Sequence, residues 1–193
     1  MFGFRKNIEN RTDEELMQLV AKANEQALSV LYMRYAQKML RFFFRLLQGD
    51  EDKAQDMVQD LFMKLIEQPE KYDCKMAFSP WLYKVATNMC FNEIRNTKNR
   101  LRLVEENFTA DEVEKPESTF YDIDAATFRL EYNKHFSGLD EDQQLLLTLR
   151  FQQELQVKEI AQIMNLPEGT VKSRLFYLLK KFSVLLHEFN PTR

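Results

Sequence analysis

Thr170, Lys172, Ser173, Arg174, Phe176, Tyr177 and Lys180 fall on one side of a segment with helical period. Cations interleaved with short hydroxyls at the start of a helix suit entry into a DNA major groove. Lys and Arg reach guanine edges and phosphates, and Ser and Thr reach either. The opposite side carries Val171, Leu175, Leu178 and Phe182, an apolar stripe that needs a partner. Residues Val157 to Val171 have the spacing that would supply one. Ala161 is small where a second helix must cross closely, and Asn165 follows four residues later, where a tight turn wants a left-handed residue. Ile160, Met164 and Leu166 complete a small core. This is helix-turn-helix spacing; a plain helical hairpin with a solvated basic face fits the same residues.

Two further faces carry chemistry. Ala54, Met57, Val58, Leu61, Phe62, Leu65 and Ile66 step by three and four, and opposite them lie Asp56, Gln59, Asp60, Met63 and Glu67. Residues 50–73 hold eight acids against three lysines. A solvated face explains this, and so does docking on a basic partner protein. Downstream, residues 81–104 hold five basic side chains and one acidic, with Lys84, Asn88, Arg95, Asn99 and Arg102 on one side. Tyr72, Phe78, Trp81 and Tyr83 flank its start, after a loop containing Lys75. Rings beside cations and amides suit single-stranded nucleic acid, where bases stack on rings and phosphates meet cations. At least one of Phe78 and Trp81 is expected in the core.

The elements that must position these faces are helices. Four glycines and five prolines in 193 residues are few, against an average combined share of about 12%. Sandwiches, barrels and glycine-loop nucleotide folds need more turns than that. Thr12-Asp13-Glu14-Glu15 reads as a capping box opening a short helix with Leu16, Leu19, Val20 and Ala23 inward. A second helix runs from about 25 to 47 with Leu28, Leu31, Tyr35, Met39, Phe42, Phe43 and Leu46 inward, and Gly49 ends it. Ser79 as N-cap and Pro80 at the first helical position open another, to about residue 100. Residues 105–124 contain eight acids and no sustained period, and read as a linker. Helices at about 125–136, 141–153, 157–164 and 168–189 follow. The expected fold is all-α: two helical domains joined by an acidic linker, the second a helix-turn-helix domain.

The net charge of −3 conceals a net −8 over residues 101–145. General coating of nucleic acid is excluded, but small DNA-reading patches are not. No signal core and no apolar stretch of about 20 residues is present, so a cytoplasmic chain without membrane insertion is expected. Two isolated cysteines, Cys74 and Cys90, make neither a disulfide framework nor a zinc box, and His135 and His187 read as structural. No metal and no cofactor is expected. No carboxylate pair, Ser/His/Asp set or phosphate loop appears, so no catalytic residues are assigned and no enzyme is expected.

Three stretches together resemble bacterial RNA polymerase sigma factors of the extracytoplasmic-function (ECF) class. They are Asp56-Met57-Val58-Gln59-Asp60-Leu61-Phe62, then Phe78-Ser79-Pro80-Trp81-Leu82-Tyr83-Lys84-Val85-Ala86-Thr87-Asn88, then Glu168-Gly169-Thr170-Val171-Lys172-Ser173-Arg174-Leu175. The resemblance covers about residues 12–100 and 128–187. It implies an N-terminal domain, 1–104, that docks on the coiled coil of the largest polymerase subunit through Asp56, Gln59, Asp60, Phe62 and Met63. That domain would capture the melted minus-ten strand with Tyr72, Lys75, Phe78, Trp81, Lys84, Asn88 and Arg95. It implies a linker, 105–125, threading the polymerase cleft. It implies a C-terminal domain, 126–193, that holds the polymerase flap and reads the minus-thirty-five duplex with Thr170, Lys172, Ser173, Arg174, Phe176, Tyr177 and Lys180. An anti-sigma factor is a further expected partner, with a helix lodged between the domains. The chain departs from the family at Pro80, often Thr, and at Tyr177 and Leu179, where Arg is common. The alternative from the residues alone is a one-component helix-turn-helix regulator with a helical sensor domain.

Overall fold

A computed structural model describes residues 8–105 and 132–185. Among the described residues every regular element is helical. α1 spans Asp13–Val20, α2 Glu25–Leu46, α3 Glu51–Glu67 and α4 Phe78–Glu105. After residues 132–137, which are helical, come α5 (Glu141–Leu147), a π turn (Thr148–Gln152), α6 (Val157–Met164) and α7 (Glu168–Leu185). The expected linker and the start of the helix placed at 125–136 lie outside the described residues.

Local sequence sets the helix starts. Glu15 N–H donates to Thr12 Oγ1 at 3.2 Å and Thr12 N–H to Glu15 Oε2 at 3.1 Å, a reciprocal capping box. Asn24, Asp50 and Asp140 cap α2, α3 and α5 by accepting N–H bonds three residues on. Gly49, at φ +96°, and Gln48 before it turn the chain between α2 and α3. That is a conformation glycine adopts without a Cβ penalty.

α2 is the central helix of the N-terminal unit, packed by α1, α3 and α4. Its stripe of Leu31, Tyr35, Met39, Phe42, Phe43 and Leu46 is buried as its spacing predicts. Leu28 is only half-buried and Ile66 is exposed, because both sit at the edge of their stripes. Ala23 does not face inward. It is exposed in a left-handed turn, φ 59°, since α1 already ends at Val20.

α4 starts one residue before its expected N-cap. Ser79 lies inside the helix, and the carboxylate of Glu14, on α1, accepts the Phe78 N–H at 2.9 Å. A capping acceptor 64 residues away is invisible to a local pattern. The expected helix at 141–153 also breaks in two: its last turn is π, with Gln153 N–H reaching Thr148 O at 3.1 Å. Thr148 Oγ1 donates to Gln144 O at 2.8 Å inside this segment, the kind of side-chain competition that loosens an α ladder.

α6 and α7 form the helix-turn-helix. Asn165 is left-handed at φ 53°, ψ 47°, and Leu166 N–H closes the turn on Ala161 O at 3.0 Å. Val171, Leu175, Leu178 and Phe182 are buried. Replacing Asn165 by Val puts a β-branched residue into that conformation. It is expected to cost the C-terminal helices about 1–2 kcal/mol, while Asn165→Gly is expected to be tolerated. Urea unfolding followed by circular dichroism measures both.

Candidate nucleic-acid interface

The outward face of α7 is built as its period requires. Lys172, Ser173, Arg174, Phe176, Tyr177 and Lys180 are exposed and Thr170 is half-buried at the helix start. Phe176 and Tyr177 are 63% and 68% exposed, and their rings meet edge-on at 5.6 Å. Leu179 and Val184 of the same helix are exposed as well, and large apolar side chains left together in water are the kind of surface a partner covers. Ser173 Oγ donates to Thr170 O at 3.0 Å. Arg174 turns sideways, its Nη1 lying 3.4 Å from Asp142 Oδ2 on α5. A Cβ added at Gly169 would meet nothing within 4 Å, so the start of the helix is open to close approach by a partner backbone.

On α4, Lys84, Asn88 and Arg95 are exposed along one side. Asn88 and Arg95, with Phe91, Asn92, Lys98, Asn99 and Glu141, line a depression of about 640 Å³. Arg95 hydrogen-bonds Asn92 Oδ1. Asn92 and Lys98 were not singled out from the sequence, although their four- and seven-residue offsets from Asn88 and Phe91 would have placed them here.

The loop before α4 is held by its own bonds. Tyr72 Oη donates to Met76 O at 2.6 Å, and Lys75 N–H to Asp73 Oδ1 at 3.0 Å. Lys75 is exposed. The rings expected to stack bases behave differently from one another. Phe78 is fully buried, edge-on to Tyr35 at 5.4 Å and Tyr72 at 5.5 Å. Tyr72 is only 4% exposed. Burial pushes the Tyr72 phenol well above its ordinary pKa, with Glu14 adding to the effect. Both rings are therefore the floor of the loop rather than open platforms, because α1 and α2 close over them. Trp81 is half-buried, 4.9 Å from Tyr72, and keeps an accessible part.

On α3, Asp56, Gln59, Asp60 and Met63 are exposed. Phe62, expected among them, is 5% exposed. It belongs to the inward stripe and packs on Tyr32 of α2 at 4.8 Å. Its place on the surface is taken by Tyr32, Met33 and Ile66, all exposed. α2 contributes Tyr32 to this face through its contact with Phe62, which no reading of α3 alone could find.

The two units pack against each other, α4 on α6 and α2 on the π turn. Beside the seam lies a groove of about 1450 Å³, lined by Ile94 and Leu101 of α4, Asp140 and Leu146, and Tyr177 and Lys181 of α7. Among the described residues no cluster of three or more His, Cys, Asp or Glu is placed to hold a metal. No helix among them is long and apolar enough to cross a membrane.

Family comparisons match this layout. The model of Sigma-70 region 2 matches residues 31–100, and that of Sigma-70 region 4 matches residues 136–182. The chain thus carries two Sigma-70 regions, one in each unit. The ECF RNA polymerase sigma-E factor of Escherichia coli (strain K12) is 30% identical over 180 residues, covering 87% of this chain and 91% of that protein. That of Haemophilus influenzae is likewise 30% identical, with 87% and 92% covered. The chain belongs to the ECF RNA polymerase sigma factors, regulatory proteins of transcription initiation. The same fold is seen in CnrH in complex with the cytosolic domain of CnrY, with TM-score 0.67, 21% identity, and 92% and 99% of the two chains covered. It is seen also in the sigma factor RpoE in complex with the anti-sigma factor NepR from Bartonella quintana, with TM-score 0.62, 20% identity, and 84% and 96% covered.

Proposed function

We propose that this chain docks on core RNA polymerase through α3 and α2, captures the melted minus-ten strand along α4, and reads the minus-thirty-five duplex with α7. It acts by binding, without a reaction of its own, in the cytoplasm. The observation that carries this reading is the presence, on one chain, of an acidic-apolar face and two separate cationic faces. Asp56, Gln59, Asp60 and Met63, with Tyr32, Met33 and Ile66, meet the coiled coil of the largest subunit. Acids steer the approach, and the Met, Ile and Tyr side chains supply the area buried on contact. Lys84, Asn88 and Arg95, with Trp81 at the loop, track the opened strand. Lys172, Ser173, Phe176 and Lys180 face the duplex, and the second domain also holds the flap. The segment 105–125 connects the two. An anti-sigma helix fits the groove between the units, whose lining alternates acids, cations and leucines.

Co-purification with core polymerase, followed by run-off transcription from a melted-bubble template, tests this. A stable complex and a specific transcript are expected. The isolated chain is expected to bind promoter duplex only weakly at physiological salt, because each face offers few cations. Nanomolar duplex binding without polymerase would support the one-component regulator instead.

A further inference from the structure

Trp81 stands near the start of α4, and little in its own segment fixes where that helix begins. Ala77, the residue before α4, has no polar side chain to cap it. Pro80 has no N–H to place, and Trp81 N–H reaches Ala77 O only at 3.5 Å. The acceptor comes instead from α1, where Glu14 Oε1 takes the Phe78 N–H at 2.9 Å. The preceding residue, Asp13, ties α1 to α2 by accepting from Arg34 Nη1 and from Tyr35 Oη. Tyr35 in turn meets the Phe78 ring edge-on. Two consecutive carboxylates of α1 therefore brace the end of the loop from below.

Trp81 takes its place from this brace. Its ring lies 4.9 Å from Tyr72 and 5.9 Å from Phe78, the two buried rings that floor the loop. We propose that Glu14 is a positioning residue for capture of the opened strand: by holding the Phe78 N–H it fixes the first turn of α4, and with it the setting of Trp81. This rests on the reading of α4 as the strand-capturing helix. The docking residues of α3 and the duplex-facing residues of α7 stand on other helices, so loss of the Glu14 bond should spare both of those contacts.

Trp81 is the one tryptophan of the chain, so its fluorescence reports its setting directly. In the free chain, Glu14→Ala is expected to shift the emission to the red and to open the ring to acrylamide quenching. Glu14→Gln, whose amide oxygen can still accept the Phe78 N–H, is expected to keep both near those of the unaltered chain. Glu14→Asp keeps the charge but falls one methylene short of that N–H, and is expected to move with Glu14→Ala. With core polymerase, Glu14→Ala is expected to cut open-complex formation about tenfold, the worth of one hydrogen bond to a charged group. Closed-complex binding and affinity for core polymerase should stay near normal, and Glu14→Gln should restore most of the opening.

An unchanged Trp81 emission in Glu14→Ala overturns the proposal. So do equal losses at all three steps, or a Gln variant as impaired as the Ala variant, since either makes Glu14 a general stabiliser. Asn88→Ala, measured beside them, separates the proposal from the reading beneath it. Opening lost with Asn88→Ala but kept with Glu14→Ala removes the positioning role alone. Opening kept with both overturns the strand-capturing reading of α4 and the proposal with it.

Discussion

With Asp56 and Asp60 both replaced by lysine, affinity for core RNA polymerase is expected to fall by at least about a hundredfold. Both carboxylates are exposed, one turn apart on α3, and neither hydrogen-bonds or ion-pairs within the described residues. Reversing them therefore leaves the helix and its buried stripe intact. A basic partner would then face like charges at two positions. Such juxtaposition costs several kcal/mol, and each 1.4 kcal/mol or so is tenfold in affinity. The loss should shrink as salt rises, since exposed charges are screened beyond about 10 Å at 0.1 M. Unchanged binding, with an unchanged circular dichroism spectrum, would place the dock elsewhere.

Asn88→Ala and Lys172→Ala are expected to damage different steps of initiation. The Asn88 amide is exposed in the α4 depression. If it hydrogen-bonds a base of the opened strand, its loss removes about 1–3 kcal/mol from that contact, or roughly five- to 150-fold. Open-complex formation should drop by that factor while closed-complex binding stays near normal. Lys172 is exposed near the N-terminal end of α7, so its loss should weaken initial binding. The salt slope should fall by about one unit if the contact is to phosphate. Permanganate reactivity of promoter thymines, measured beside filter binding, separates the steps. Equal impairment of one step by both substitutions would contradict the assignment.

The helix-turn-helix was legible because each of its constraints is local. A left-handed residue was needed at one position, and Asn165 stands there with φ 53°. The stripe Val171, Leu175, Leu178, Phe182 had one solution, and it is buried. The acidic face of α3 was legible for the same reason. The rings around the loop were not. Nothing in the sequence near Phe78 distinguishes a base-stacking ring from a core ring. What decides is Glu14 and Tyr35, brought in by α1 and α2. Tyr32 was missed because its partner Phe62 lies 30 residues along the chain. The seam escaped altogether, since Arg45 with Phe136 and Tyr83 with Gln153 pair side chains from opposite halves of the chain.

The central claim is that one chain presents two DNA-reading units to two elements of a promoter, and that it does so in the company of polymerase. Selection of promoter fragments from a random library by the reconstituted holoenzyme tests it most directly. The recovered sequences should share two short blocks at a fixed spacing, with permanganate-reactive thymines in the downstream block alone, and no recovery when core polymerase is left out. A single palindromic block, recovered equally well by the chain by itself, would contradict the account.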